Sequence, residues 1–266
     1  MSKSRIKETT SSRLKKSQRR RQILLELKLR PHVRISELSR RFNVSTETVR
    51  RDFDALADDG LISRAHGGAS APAQGHYPSL DERANARIKE RERIGKRAAE
   101  LVPEGATVMI DSGSTTIQMA RALAYLGTSC TVITNSIPIA MTLGHNSAQQ
   151  VLLCPGEYLT AESAVVGTDT LEYLARFNVD LSVIGAFGLS GEGPSESVRG
   201  FAAVKRVMWQ RAARSHLLID SEKFGRRGLS IFGGLDEFDS VITDEQPKGD
   251  LLSALVGAKV HISVTE

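Results

Sequence analysis

The sequence predicts a winged helix-turn-helix domain (α+β) near the N-terminus, followed by a larger α/β domain with a mainly parallel sheet. The first prediction rests on three short helix-like segments and a Gly-Gly turn within the first 70 residues. The second rests on seven strands that alternate with helix-like segments along the rest of the chain, over 107–111, 131–134, 150–154, 180–185, 216–220, 240–244 and 259–263. A length of 266 residues also suits two domains, because one domain commonly has about 100 to 200 residues.

The N-terminal elements follow from cap and turn signals. The first helix begins near Ser17 and ends before Pro31, since a residue that precedes proline is pushed out of the α region. Ser36 is a candidate N-cap for the second helix, and Ser45 for the third. A strand over 61–66 meets the Gly67-Gly68 turn, which would form the wing. The predicted boundaries are a disordered basic tail over 1–17, the winged helix-turn-helix over 18–70, a linker over 71–80 and the α/β domain over 81–266.

The third helix is amphipathic, with its polar face rich in charge. Val49, Phe53 and Leu56 are spaced at i, i+4 and i+7, so they share one face that we expect to be buried. At about 100° per residue, four charged residues point away from that face and two threonines lie on its flanks. These six are Glu47, Arg50, Arg51 and Asp54, and Thr46 and Thr48.

The positive charge is concentrated at the N-terminal end. The first 70 residues hold 17 Lys or Arg and 8 Asp or Glu, a net charge of +9. The remainder is net −4, so the total of +5 hides the asymmetry. A basic field of this kind gives a salt-dependent affinity for phosphate backbones. The alternative is that the first 21 residues are only a disordered basic tail with no role in binding.

The third helix is therefore a candidate for reading DNA. In a helix-turn-helix, the N-terminal residues of the second helix of the motif face base edges. Ser45, Thr46 and Thr48 can donate to phosphates near the helix start, while Arg50 and Arg51 can reach guanine or phosphate. The alternative is a solvated helix face on which Asp52 and Asp54 are the partners of the two arginines.

The run VSTETVRRDFDALADDGLISRAHGGA over 44–69 resembles the N-terminal domain of the DeoR family of bacterial regulators of sugar metabolism. The resemblance implies a helix-turn-helix over about 35–54 and a wing that contains Arg64 and His66. His66 is either a backbone contact or a packed wing residue. The DNA-contacting residues that we expect are Ser45, Thr46, Glu47, Thr48, Arg50, Arg51, Arg64 and His66.

In the second domain, two strands run into polar, hydroxyl-rich helix starts. Asp111, Ser112, Gly113, Ser114, Thr115 and Thr116 follow one strand, and Thr134, Asn135 and Ser136 end another. Backbone N–H groups and hydroxyls at a helix start can hold an anion. In parallel α/β sheets ligands bind at the carboxyl ends of the strands, so both junctions could line one crevice. The alternative is that these hydroxyls are ordinary helix caps.

Further segments resemble the sensor half of the same DeoR family. They are IDSGSTT, VITNSIPIA, AVVGTDTL, LIDSEKFG and VITDE, so the resemblance extends over nearly the whole chain from about residue 18. It implies a fold of the ribose-5-phosphate isomerase type that binds phosphorylated sugars or related metabolites. By position, 111–116 would hold the phosphate or sugar hydroxyls, 134–136 would line the pocket, and Lys223 would offer a cation. The alternative for Lys223 is a surface lysine paired with Glu222.

Three positions depart from the family pattern. Cys154-Pro155 stands where the family usually has Gly-Gly, Phe187-Gly188-Leu189 follows the turn where an Asp is usual, and 201–204 is apolar where an acidic residue often precedes Lys205. The last two departures lie where polar ligand contacts would be expected, so they are consistent with an unusual or less polar ligand.

The function predicted is a DNA-binding repressor of a carbohydrate-catabolic operon, released from operator DNA by a phosphorylated sugar. It is expected to be a cytoplasmic homo-oligomer and not an enzyme, with no cofactor, no metal and no membrane partner. Cys130 and Cys154 are expected to be reduced and buried, because both lie in apolar surroundings and their spacing does not suit a metal. The alternative is an isomerase-like enzyme with a DNA-binding arm, in which Asp111 and Lys223 would be the acid/base candidates.

Overall fold

The computed structural model describes residues 16–30, 32–58, 62–65, 67–70, 80, 83 and 87–266. The chain divides into two compact units, residues 1–78 and 79–266. Most of the predicted basic tail and linker lie outside the described residues. Within them, no helix is long and apolar enough to cross a membrane.

The described residues of the first unit form three helices and a small sheet. They are α1 (Lys16–Leu29), β1 (His32–Arg34), α2 (Ile35–Arg41), α3 (Thr46–Asp58), β2 (Ser63–Ala65) and β3 (Gly68–Ser70). The strands are antiparallel in the order β1-β3-β2. At the turn between β2 and β3, Gly67 has a φ of 72°, a left-handed conformation that glycine adopts without steric cost. The predicted helix-turn-helix and wing are both present.

The core of the first unit is the apolar face predicted for α3, joined by residues of the other helices. Val49 and Phe53 are fully buried, and Leu56 is nearly so. They pack with Ile23 of α1 and Leu38 of α2, among others. The prediction of Ser36 as an N-cap is wrong, because α2 already begins at Ile35 and is preceded by Arg34 in an extended conformation. The α1 helix includes Lys16 and Ser17, the last two residues of the predicted tail.

The second unit is built on a seven-stranded parallel sheet of order β15-β14-β12-β9-β4-β5-β6. Its strands are β4 (Thr107–Ile110), β5 (Cys130–Thr134), β6 (Gln149–Leu153), β9 (Val179–Gly185), β12 (Ala212–Leu218), β14 (Ser240–Thr243) and β15 (His261–Val264). These are the seven strands that the sequence predicts, so the parallel α/β prediction is confirmed.

Within residues 87–266, six α-helices accompany this sheet. They are α4 (Ile88–Ala99), α5 (Ser114–Leu126), α6 (Ile137–Gly144), α7 (Thr168–Leu174), α8 (Arg199–Gln210) and α9 (Gly249–Gly257). Residues of α4, α5 and α6 share one core cluster with the sheet, and residues of α7, α8 and α9 share another. Gly95 lets α4 approach α5 closely, since a Cβ there would lie 2.5 Å from the backbone nitrogen of Met119.

Two small antiparallel sheets were not predicted. A hairpin joins β7 (Glu157–Leu159) to β8 (Ala164–Val166), and a second sheet has the order β10-β11-β13. The strands of the latter are β10 (Gly188–Ser190), β11 (Gly193–Glu196) and β13 (Ser230–Ile231). The three departures from the family pattern lie near these sheets: Cys154, Leu189, Phe201 and Val204 are all buried in the apolar core around them.

Candidate functional site

The outward face of α3 is a polar surface held by a capped helix start. The backbone N–H of Thr48 donates to Oγ of Ser45 at 3.1 Å, so Ser45 caps the helix as predicted. Ser45, Thr46 and Glu47 are exposed, and Thr48 is half-buried with its hydroxyl 2.8 Å from that of Ser45. The start of α3 therefore presents short polar groups to solvent.

Arg50 and Arg51 extend from the same face, with 59% and 79% of their side chains exposed. Their ion pairs are both with Glu47, at 3.8 Å for Arg50 and 3.5 Å for Arg51. Exposed pairs at this spacing contribute only about 0.3–0.5 kcal/mol, so a DNA phosphate or a guanine can compete for either guanidinium.

The two aspartates close to these arginines in the sequence form ion pairs with other residues. Asp52 is buried and forms ion pairs with Arg19 and Arg20 of α1, the second at 3.4 Å. Asp54 pairs with Arg64 of β2 at 2.7 Å. The alternative in which Asp52 and Asp54 hold Arg50 and Arg51 is therefore wrong.

Arg64 is the described wing residue of the predicted DNA-contacting set. Besides Asp54, it contacts α3 through a hydrogen bond of 3.4 Å to the backbone oxygen of Arg50. With 42% of its side chain exposed, Arg64 links the wing to α3 and still faces solvent. His66 lies outside the described residues.

The strand-to-helix junction after β4 forms the start of α5. Its predicted residues Asp111, Ser112, Ser114, Thr115 and Thr116 are all buried. The N-cap position of α5 is Gly113, which has no side chain that could cap the helix. Thr116 donates its hydroxyl to the backbone oxygens of Asp111 and Gly113, at 2.8 and 3.0 Å, so its role is to fix the loop.

Two hydroxyls at this helix start have no partner within the described part of the chain. Oγ of Ser114 and Oγ1 of Thr115 are buried there without a hydrogen bond. A buried hydroxyl without a partner costs about 1–3 kcal/mol. Their presence at an uncapped helix N-terminus is typical of a place where a polar or anionic ligand binds.

The second junction, Thr134 to Ser136, contacts the first. The backbone N–H of Ser112 donates to Oδ1 of Asn135 at 3.1 Å, and the Asn135 amide donates to the backbone oxygen of Val165 at 3.0 Å. Ser136 caps α6 by accepting from the N–H of Ile139. The structure thus brings the two junctions together, but the side chains of 134–136 mainly bond to protein groups, as the cap alternative expected.

A buried ion cluster that the sequence analysis missed adjoins Asp111. The carboxylate of Asp111 accepts from the N–H of Gly185 at 3.1 Å and pairs with Nζ of Lys205, which lies 3.6 Å from Glu196. Burial alone would lower the pKa of Lys205, but the negative charges of Asp111 and Glu196 outweigh it and hold that pKa above its usual range. Lys205 stays charged at neutral pH.

A signal for Lys205 was present in the sequence. Phe201, Val204 and Met208 form the buried stripe of α8, and Lys205 falls within it. A lysine on the apolar face of a helix needs a buried anionic partner, and here the partners are Asp111 and Glu196.

Lys223 lies in a 3-10 turn, Ser221–Lys223, that follows β12. Its Nζ donates to the backbone oxygen of Ala186 at 2.7 Å, and the side chain is buried. The alternative of a surface pair with Glu222 is wrong, because Glu222 instead lies 3.6 Å from Arg87. Burial lowers the pKa of Lys223 to about 8, although Asp220 opposes the shift.

Three arginines that precede or begin α4 pair with carboxylates near these lysines. Arg83 pairs with Glu162, Arg91 with Asp220 and Arg87 with Asp244. In the described residues there is no group of three or more His, Cys, Asp and Glu that could hold a metal. Cys130 and Cys154 are free and buried, and burial raises their pKa values to about 11 and 12, which makes both thiols unreactive.

Family models match both units. The DeoR-like helix-turn-helix domain matches residues 19–74, and the DeoR C-terminal sensor domain matches residues 86–245. The chain belongs to the DeoR family. With a DNA-binding helix-turn-helix and relatives named as repressors, this DeoR-family chain is a DNA-binding transcription regulator and not an enzyme.

Curated relatives align along nearly the whole DeoR-family chain. It is 29% identical over 255 residues to the glycerol-3-phosphate regulon repressor of Escherichia coli (strain K12), covering 94% of this chain and all of that one. It is 32% identical over 241 residues to the HTH-type transcriptional repressor GlcR of Bacillus subtilis (strain 168), covering 90% and 93%.

Solved structures overlap with it in part. Ribose 5-phosphate isomerase A from Methanocaldococcus jannaschii aligns at 16% identity with a TM-score of 0.39, covering 52% of this chain and 55% of that one. The translation initiation factor eIF-2B of Pyrococcus horikoshii aligns at 14% identity with a TM-score of 0.42, covering 82% and 70%.

Proposed function

We propose that this DeoR-family regulator represses a carbohydrate-catabolic operon and is released from its operator by a phosphorylated sugar or a related metabolite. It works in the cytoplasm as a homo-oligomer, a dimer or tetramer, because two-fold readers match repeated half-sites in DNA. Its DNA contacts are Ser45, Thr46, Glu47, Thr48, Arg50, Arg51, Arg64 and His66. The glycerol-3-phosphate and repressor names of the relatives support this class of function.

The proposal that a phosphorylated sugar binds to the α/β unit rests on one observation, the pair of hydroxyls on Ser114 and Thr115 that have no partner in the described structure. They lie where the uncapped N-terminus of α5 adds its positive dipole end, which favours a phosphate. Asp111 and Glu196 can accept from sugar hydroxyls, since carboxylates are acceptor groups. Lys223 adds a cation whose Nζ otherwise bonds only to a neutral carbonyl in the described structure.

The first test is a ligand screen by thermal unfolding. Fluorescence of Trp209, the single tryptophan, follows the α/β unit of the full chain. A phosphorylated sugar that binds should raise the unfolding temperature. At a concentration of 100 times its Kd, it should increase the free energy of unfolding by about 2.7 kcal/mol. The same compound should release a duplex that the chain selects from a random pool. If unphosphorylated sugars act equally well, or no phosphorylated sugar acts, the phosphate site is wrong.

A matched pair of variants sharpens this screen. Thr115→Val keeps the side-chain shape and removes the unpartnered hydroxyl, so the ligand-free protein should unfold at the same or a higher temperature. Its response to the phosphorylated sugar should nevertheless fall. Thr131→Val, on β5 away from the junction, is the control and should keep the full response. A Thr115→Val response equal to that of the wild type would contradict the assignment.

The affinity for the phosphorylated sugar should also fall as pH rises. Lys223 is protonated below its pKa of about 8 and neutral above it, so its attraction for an anion is present at pH 7 and lost towards pH 9. A phosphate monoester is already a dianion across this window, because its second pKa is about 6. Titration calorimetry at several pH values measures the effect. Lys223→Arg, which stays charged, should bind independently of pH between 7 and 9.

A further inference from the structure

Arg87 has an unusual backbone. It precedes α4 with φ 50° and ψ 44°, a left-handed conformation that is rare for a residue with a side chain. Its carbonyl accepts from the N–H of Arg91 at 3.1 Å, so Arg87 occupies the N-cap position of the helix. In the sequence, Arg87 follows shortly after the division between the two units at Pro78. Strained residues of this kind persist only when their surroundings hold them, and they cluster at switch regions.

The surroundings that hold Arg87 are acidic. Its guanidinium pairs with Asp244, lies 3.6 Å from Glu222 and 3.9 Å from Asp220 and Glu90, and donates to Oγ of Ser221 at 3.1 Å. The contact with Asp220 is too long for a hydrogen bond. The Nε of Arg87 and Oδ1 of Asp220 are 3.9 Å apart, and neither has a hydrogen-bond partner in the described structure. The arrangement therefore leaves one buried donor and one buried acceptor unmatched.

The same short turn reaches both Arg87 and the proposed ligand site. In the turn Ser221–Lys223, Ser221 and Glu222 contact Arg87, and Lys223 points to Ala186 beside the Asp111 junction. Asp220 anchors the turn, because its backbone oxygen accepts from the N–H of Lys223 at 3.0 Å and its carboxylate accepts from Arg91 at 3.1 Å. The residues that contact Arg87 and the residue that faces the proposed ligand site are therefore adjacent in this turn.

We propose that Arg87 is a positioning residue that couples ligand binding to the segment leading from the DNA-binding unit. An anion that engages Lys223 draws the turn Ser221–Lys223 towards the ligand and weakens its contacts with the Arg87 guanidinium. Arg87 then leaves its left-handed conformation, and the first turn of α4 opens. The inference rests on the proposed function, because it uses the anion site at the start of α5.

Hydrogen exchange of the full chain, with and without saturating inorganic phosphate, tests the coupling. Two segments are compared: 112–117, at the proposed anion site, and 88–94, the first turns of α4. In the wild type, phosphate should slow exchange over 112–117 and speed it over 88–94. In Arg87→Gln, 88–94 should exchange fast already without phosphate, because the strained backbone has lost its ion pairs, and phosphate should then change only 112–117.

Two further variants separate strain from charge. Arg87→Gly adopts the left-handed conformation without strain, so its 88–94 segment should exchange as slowly as in the wild type and no longer respond to phosphate. Arg97→Gln, which loses an exposed pair with Glu100 on the same helix, is the control and should behave as the wild type.

The possible failures point to different assumptions. If phosphate protects 112–117 and the Arg87→Gln and Arg87→Gly segments still respond over 88–94, the coupling through Arg87 is wrong and the proposed ligand site stands. If phosphate leaves 112–117 unchanged in every variant, the anion site itself is wrong, and the coupling that rests on it falls with it.

Discussion

Replacement of Lys205 by methionine should destabilise the α/β unit by about 3–5 kcal/mol. Lys205 has only 4% of its side chain exposed, and its ammonium group faces the buried carboxylates of Asp111 and Glu196. Methionine fills a similar volume but removes the charge, which leaves two buried carboxylates without their cation. The loss is therefore mainly electrostatic, since the packing against the apolar residues of α8 is kept.

Denaturant unfolding followed by Trp209 fluorescence measures this loss. Trp209 lies on the same helix and stacks on Phe238 with ring centroids 5.5 Å apart, so its signal reports the packing of α8. The double variant Lys205→Met with Asp111→Asn should recover part of the stability, because one of the uncompensated charges is gone. Lys96→Met, at an exposed position of α4, is the control and should change stability by less than about 0.5 kcal/mol. A Lys205→Met chain as stable as this control would contradict the buried pairing.

Simultaneous replacement of Arg50 and Arg51 by alanine should abolish sequence-specific DNA binding. If each arginine forms a bidentate pair with guanine, the two pairs together contribute about 2–6 kcal/mol to the preference for the selected duplex over other sequences. Their removal should therefore lower the affinity for the selected duplex more than tenfold. The fold should survive, because both side chains are largely exposed and their ion pairs within the described residues are with Glu47 alone.

Competition binding against random-sequence duplex, at several salt concentrations, separates specificity from general attraction. The double variant should lose its preference for the selected duplex and show a smaller salt slope. Arg93→Ala combined with Arg97→Ala removes the same charge from the exposed face of α4 and should keep the preference. If the Arg50→Ala, Arg51→Ala chain still preferred the selected duplex, α3 would not be the reading helix.

Much of the fold could be predicted because its periodic signals are local. The buried stripe of α3 and the seven apolar strands follow from spacing alone, and the structure has them with small shifts at their ends. The two small antiparallel sheets could not be predicted in this way. Their strands have only two to four residues, such as Ser230–Ile231, and the pairing of β11 with β13 joins residues far apart in the sequence.

The site was predicted less completely for a related reason. Motif reasoning found the polar helix starts after β4 and β5, which the structure places side by side. It did not find Lys205, Glu196 or the arginines of α4, because their roles depend on burial and on partners from distant segments. The alternative considered for Asp52 named the wrong partner, since the helical wheel does not show that Asp52 pairs with Arg19 and Arg20 of α1.

The division of labour along α3 has an evolutionary consequence. Asp52 anchors the helix to α1, and Asp54 ties it to the wing through Arg64. The neighbouring Thr46, Glu47, Arg50 and Arg51 are exposed and contribute little to stability. With the DNA contacts proposed above, mutations on that face change which operator is recognised while the domain stays folded. Descendants of this protein could acquire new target genes through single substitutions, without compensating changes elsewhere in the chain.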